Sequence, residues 1–89
     1  MKIKLELFGA SRDFSDNDYL ELNVKDQASV EDLRNEIIKH IDKNFSGNEN
    51  FIKVVKSSAF CSENNEIISD NYKITKDQKI GIIPPIGGG

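Results

Sequence analysis

The chain has 89 residues, 37% of them hydrophobic and 30% charged with both signs mixed, which suits one small soluble domain with a simple core and leaves no room for a deep catalytic cleft. A net charge of −3, with Lys and Arg spread along the chain and no aromatic platform, argues against a nucleic-acid partner. No apolar run reaches the roughly 18 residues of a membrane span, and the N-terminus lacks signal-peptide order, so the expectation is no membrane contact and a cytoplasmic location.

Residues 2–8 alternate, with Ile3, Leu5 and Leu7 on one face and Lys2, Lys4, Glu6 and Phe8 on the other, and predict a half-buried strand. Gly9 to Asp18 reads as a polar turn region. Leu20, Leu22 and Val24 alternate with Glu21, Asn23 and Lys25, giving a second strand able to pair with the first. Ser29 fits a helix N-cap with Asp32 at capping-box spacing, and Val30, Leu33, Ile37 and Ile41 then share one helical face. This is the only run with clear amphipathic helical spacing. Phe45 extends its stripe before Gly47 and the Asn/Glu-rich segment to Asn50 break it. Phe51 to Cys61 reads as β-rich through Val54-Val55 and Ala59-Phe60. Glu66 to Ile68 is a short apolar piece after an Asn64-Asn65 turn, and Lys79 to Ile83 is a final strand.

Pro84 and Pro85 cannot continue a sheet ladder, and Ile86-Gly87-Gly88-Gly89 follows. Consecutive glycines carry no Cβ, so the sequence ends in a thin tail whose carboxylate can enter a channel closed to branched residues. The expected organisation is a domain over residues 1–86 and a glycine tail over 87–89. The element order requires a sheet to cover the apolar face of one main helix. The inferred fold is an α+β roll of the ubiquitin-like β-grasp kind, with a mixed four- to five-stranded sheet and the first and last strands paired.

Other candidate groups read as structural. Cys61 is the single cysteine, has no CxxC partner, and fits a small buried hydrophobe. His40 lacks a second histidine or a spaced carboxylate pair, so it reads as a solvated helix residue and no metal site is expected. Ser57-Ser58 has no base signature, and no acidic pair is marked for proton transfer.

The segment Phe8-Gly9-Ala10-Ser11-Arg12-Asp13 resembles the aromatic, small residue, two variable positions, Arg, acidic pattern after the first strand of molybdopterin synthase small subunits, the MoaD-type sulfur carriers of the ubiquitin-like ThiS/MoaD family. Ser29-Val30-Glu31-Asp32-Leu33-Arg34 is similar to their helix start, and Ile82 to Gly89 to their apolar pair, Pro-Pro, Val, small residue and Gly-Gly ending. Lys76-Asp77-Gln78-Lys79 lacks the glycine and some of the negative charge of their usual last turn. Ser57 to Asn65 is slightly longer than usual, with Asn64 a candidate for the asparagine that ends that strand.

The resemblance implies a non-catalytic, sulfur-donating subunit of a heteromeric sulfurtransferase. A MoeB-type, ubiquitin-activating-type adenylyltransferase would use ATP to make a Gly89 acyl-adenylate, and sulfur from a persulfide would then give a Gly89 thiocarboxylate. The tail would next enter the MoaE-type large subunit and donate sulfur to cyclic pyranopterin monophosphate in molybdenum cofactor biosynthesis. Gly89 is the attachment point and Gly88 controls access, while Phe8, Arg12, Ile83, Pro85, Ile86 and Gly87 would contact the partner. No tightly bound cofactor is implied. Phe8, Ile83 and Ile86 form an outward apolar set, which places docking on the sheet face away from the helix. Alternatives are a sulfur carrier for thiamin or cysteine synthesis, or a ubiquitin-like modifier joined to lysines. The length and the Phe8 to Asp13 pattern favour the molybdopterin reading.

Overall fold

The computed structural model of the chain describes residues 1–85. Ile86, Gly87, Gly88 and Gly89, and with them the boundary expected at residue 86, lie outside the described residues. Seven strands are described: β1 (Lys2–Leu7), β2 (Tyr19–Asn23), β3 (Ala28–Ser29), β4 (Ala59–Cys61), β5 (Ile67–Ile68), β6 (Lys73–Ile74) and β7 (Gln78–Ile83). Two α-helices, α1 (Val30–Asn44) and α2 (Glu49–Ser57), and a 3₁₀ segment over Gly9–Phe14 complete the described elements. The main sheet is five-stranded in the order β2-β1-β7-β4-β5, and β3 pairs with β6 apart from it.

The period-2 alternation of β1 buries Ile3, Leu5 and Leu7, and this sets the core. β2 runs antiparallel beside β1, as expected from its own alternation. On the other side β7 runs parallel to β1, in a register that sets Leu5 beside Ile80 and Leu7 beside Ile82. The sheet is therefore mixed, with the first and last strands paired at its centre. All these inward side chains, together with Phe60, pack against the helices.

The helix α1 starts where its capping box predicts. Asp32 N–H donates to Ser29 Oγ at 3.1 Å and Ser29 N–H donates to Asp32 Oδ2 at 3.0 Å. Val30, Leu33, Ile37 and Ile41 are fully buried. Gly47, at φ +68°, follows the end of the helix in the left-handed region, and its N–H donates to the Ile41 carbonyl at 3.3 Å.

The β-rich reading of Phe51 to Cys61 is corrected, because most of that run is the helix α2 and only Ala59–Cys61 is strand. Strand preference at Val54-Val55 yields to tertiary contacts and caps. Asn48 caps the start, accepting from the N–H groups of Asn50 and Phe51 at 3.0 and 3.1 Å. Phe51 packs with Phe14 and with Phe45, ring centroids 5.2 Å apart in both pairs. At the other end the Arg34 guanidinium donates to the carbonyls of Val55 at 2.7 Å and Ser58 at 2.9 Å. Positive charge and hydrogen-bond donors thus meet carbonyls at the helix end, where the Val55 carbonyl also accepts from the Ser58 N–H at 3.3 Å. Arg34 also pairs with Asp70 at 2.7 Å and lies over the Phe60 ring.

The expected polar turn at Gly9 to Asp18 is also more structured than its composition suggests. Its first six residues form the 3₁₀ segment, which buries Ser11 and Phe14. Among the described residues no helix is long and apolar enough to cross a membrane.

Candidate functional site

Because β1 and β7 are parallel neighbours, both leave the sheet at the same edge. The Phe8–Arg12 turn therefore lies beside Pro84 and Pro85, where the chain departs toward its glycine ending. An ideal Cβ placed on Gly9 would stand 3.9 Å from Pro84 Cγ, and Gly9 itself has φ +55°, a conformation in which a side chain is strained.

Strand alternation sends Phe8, and Gly81 and Ile83 of β7, to the face away from the helices. Cys61 is opposite Gly81 and Ala59 opposite Ile83, so both belong to this face, and Ile67 follows because it pairs with Cys61. Phe8, Ile83 and Ile67 are 41%, 37% and 67% exposed, a solvent-facing apolar group on a sheet face that also carries Lys4, Glu6 and Lys79. Expected partner contacts at Phe8 and Ile83 are thus brought together, and exposed Pro85 lies at the same edge. Arg12 is exposed, and among the described residues it makes no ion pair.

Phe8 is held by its own turn. Its N–H donates to Ser11 Oγ at 2.9 Å, while its carbonyl accepts from the Ser11 hydroxyl at 2.6 Å and from the Ser11 N–H at 3.1 Å. Further along the face Lys79 Nζ meets Glu6 at 2.8 Å, and the Lys79 N–H donates to Glu63 at 2.9 Å. Hydrogen bonding to Glu6, helped by its charge, raises the Lys79 ammonium above its ordinary range. Lys4 lies over the Tyr19 ring.

The remaining candidates play structural parts. Cys61 is a free, buried thiol, as expected. His40 is not the solvated residue expected of it. It is half-buried, with Nε2 3.1 Å from the Phe14 carbonyl and Nδ1 3.0 Å from Asn44 Nδ2, and ties α1 to the 3₁₀ segment. The hydroxyls of Ser57 and Ser58 donate to carbonyls in the last turns of α2. Asn64 stands in the turn after β4 and does not end that strand. Among the described residues no three His, Cys, Asp or Glu side chains gather as a metal site. A surface cleft of about 610 Å³ lies over Lys25, Asp32 and Lys39, and among the described residues it contains no nucleophile set against a base. The expected roles of Ile86, Gly87, Gly88 and Gly89 fall outside the described residues.

Sequence reasoning missed Ile67 and Gly81 as parts of this face, and the buried Ser11 as the residue that holds the Phe8 backbone. The Asn64-Asn65 turn was legible, but which face Ile67 takes depends on its register with Cys61. Gly81 is buried between neighbours distant in sequence, a placement that no local pattern encodes.

Comparison with known proteins gives this arrangement a family. The ThiS family matches residues 5–89. No curated protein matches the chain by sequence. Among solved structures the chain is similar to a Pyrococcus furiosus protein provisionally described as molybdopterin converting factor, subunit 1, at TM-score 0.69 and 23% identity over 96% of this chain and 98% of that one. It is similar to small archaeal modifier protein 1 of H. volcanii at TM-score 0.67 and 12% identity, covering 96% and 98% of the two chains. Caldiarchaeum subterraneum ubiquitin follows at TM-score 0.60 and 19% identity, covering 100% of this chain and 98% of that one. These likenesses carry the fold, a ubiquitin-like β-grasp with helix packed on a mixed sheet. The family match extends through the outward face to the glycine ending, and on it the chain belongs to the ThiS family.

Proposed function

We propose that the chain is the sulfur-donating small subunit of molybdopterin synthase. The observation that carries this reading is the exposed apolar pair of Phe8 and Ile83 at the edge where the chain leaves toward Gly89, with exposed Ile67 further across the same face. A domain with no catalytic cluster among its described residues, but with a docking face beside a glycine ending, suits presentation of its terminus to another protein's active site. The fold likeness to the P. furiosus protein described as a molybdopterin converting factor subunit supports the pathway.

The chemistry follows from the terminal group. A carboxylate is a poor acyl donor, so a MoeB-type adenylyltransferase first joins it to AMP, with pyrophosphate leaving from ATP. The terminal sulfur of a persulfide then displaces AMP, and cleavage of the S–S bond by a thiol leaves Gly89 as a thiocarboxylate. The outward face docks on a MoaE-type large subunit and the glycines carry the sulfur to cyclic pyranopterin monophosphate. Catalytic side chains belong to the partners.

The test is intact mass after incubation with ATP, the adenylyltransferase and a persulfide donor, followed by addition of the large subunit and the pterin substrate. Exchange of one oxygen for sulfur and then dithiolene formation are expected. Thiocarboxylate formation without dithiolene product would move the assignment to thiamin or cysteine synthesis. Isopeptide bonds to lysines of other proteins would favour the modifier reading, toward which the likeness to small archaeal modifier protein 1 points.

A further inference from the structure

Gly81 sits in the middle of the outward face, and its backbone does not require glycine, since its φ is outside the left-handed region. The requirement is space. A Cβ at its ideal position would stand 3.0 Å from Phe8 Cε2 and 2.7 Å from Cys61 Sγ. Both separations are below ordinary carbon and sulfur contacts, so the ring of Phe8 lies across β7 on the surface that Gly81 leaves empty. Ser11 fixes the other end of the same residue, since its fully buried hydroxyl serves both the N–H and the carbonyl of Phe8. One residue of the docking face is therefore seated twice, by a hydrogen-bonded turn at its backbone and by a missing side chain beneath its ring.

We infer that Gly81 and Ser11 are positioning residues for partner docking, which set the Phe8 ring down flat beside Ile83 and keep it from standing out into solvent. The inference rests on the docking role proposed above. A ring ordered before binding loses less rotamer freedom on association than one that must be ordered by the partner. It also presents a fixed shape for the partner's surface to match. A methyl group at position 81 would lift the ring and spoil that match without touching the partner itself.

The test separates the two neighbours of Gly81. In a Cys61→Ala background the thiol is gone, so Gly81→Ala meets only the Phe8 ring. Calorimetric titration with the large subunit, the partner to which the proposed function assigns this face, reads affinity. The ring-current shift of the backbone amide at position 81, measured by NMR without any partner, reads ring position. Cys61→Ala alone is expected to keep both readouts. Adding Gly81→Ala should keep the fold, abolish the ring-current shift and weaken binding roughly tenfold or more, the scale of a lost interface anchor. Ser11→Ala, which leaves Gly81 intact, should lose both readouts in the same direction. Combining Gly81→Ala with Phe8→Ala should cost no more than Phe8→Ala alone, because the two act through one ring. A displaced ring with unchanged affinity overturns the role given to Gly81 and Ser11. Unchanged affinity in Phe8→Ala overturns the docking reading itself and this inference with it.

Discussion

Ile67 is the most exposed of the large apolar residues on the outward face, at 67%, and it stands on the two-residue edge strand β5. A solvent-facing side chain contributes little to folding, so Ile67→Lys should shift stability by no more than about 0.5 kcal/mol. Placed in a docked interface, the same lysine would bring an unpaired ammonium into an apolar contact, which is strongly unfavourable. Binding to the large subunit should fall at least tenfold while the melting curve scarcely moves, a split read by titration calorimetry beside thermal denaturation. Arg12→Ala tests the polar side of the same surface. Arg12 is exposed and unpaired among the described residues, so its loss should leave stability unchanged and weaken binding in a salt-dependent way. Affinities measured at low and high salt would show whether the effect of the substitution disappears under screening.

At the scale of elements, the features legible in the sequence are those whose pattern is local. The alternation of β1 and the capping box of α1 both describe what the chain does, down to the reciprocal bonds of Ser29 and Asp32. The helix α2 was illegible because its supports come from elsewhere. Val54 and Val55 favour strands locally, but Arg34, on α1, holds the carbonyl of Val55, and Phe14 and Phe45 wall in Phe51. Arg34→Met should therefore melt the end of α2 first, at a cost of about 2–3 kcal/mol for charge-assisted bonds lost to largely buried carbonyls. Hydrogen exchange at Val55 to Ser58 should speed up before that of α1. The cap of α1 gives a pH signature. Hydrogen bonding to the Ser29 backbone, with Lys25 nearby, lowers the Asp32 carboxyl below its ordinary 3.8 despite some desolvation. A depressed folded-state pKa means the stabilisation is present above the unfolded value and is lost as pH falls through the folded one. The stability gap between the wild type and Asp32→Asn should hold at neutral pH and close as pH falls below about 3.8.

For the whole molecule, the central fact is that β1 and β7 run parallel side by side, so the turn bearing Phe8 and the exit of the chain share one edge. On the proposed reading, the docking face and the acyl group are joined by the few residues from Pro84 to Gly89, so docking would determine where the carboxylate is delivered. Folding and the proposed sulfur delivery should be separable, because the buried cluster of the described residues runs from Ile3 to Ile82. Deleting Gly89 should leave the melting temperature unchanged, yet it shortens the reach by ~3.5 Å. Reactions of bound groups lose about a hundredfold from misplacement by ~1 Å, so thiocarboxylate yield and dithiolene formation should both fall to background. Gly88→Val makes the opposite error, leaving the carboxylate at full reach but adding a branched side chain that narrows the allowed backbone and widens the chain where it must enter the partner. That variant should fold and bind through the Phe8 face while failing at acyl transfer, and Gly87→Ala should lose far less. Full sulfur transfer by a chain lacking Gly89 would remove the sulfur-carrier reading, since the proposed acyl group would then be dispensable.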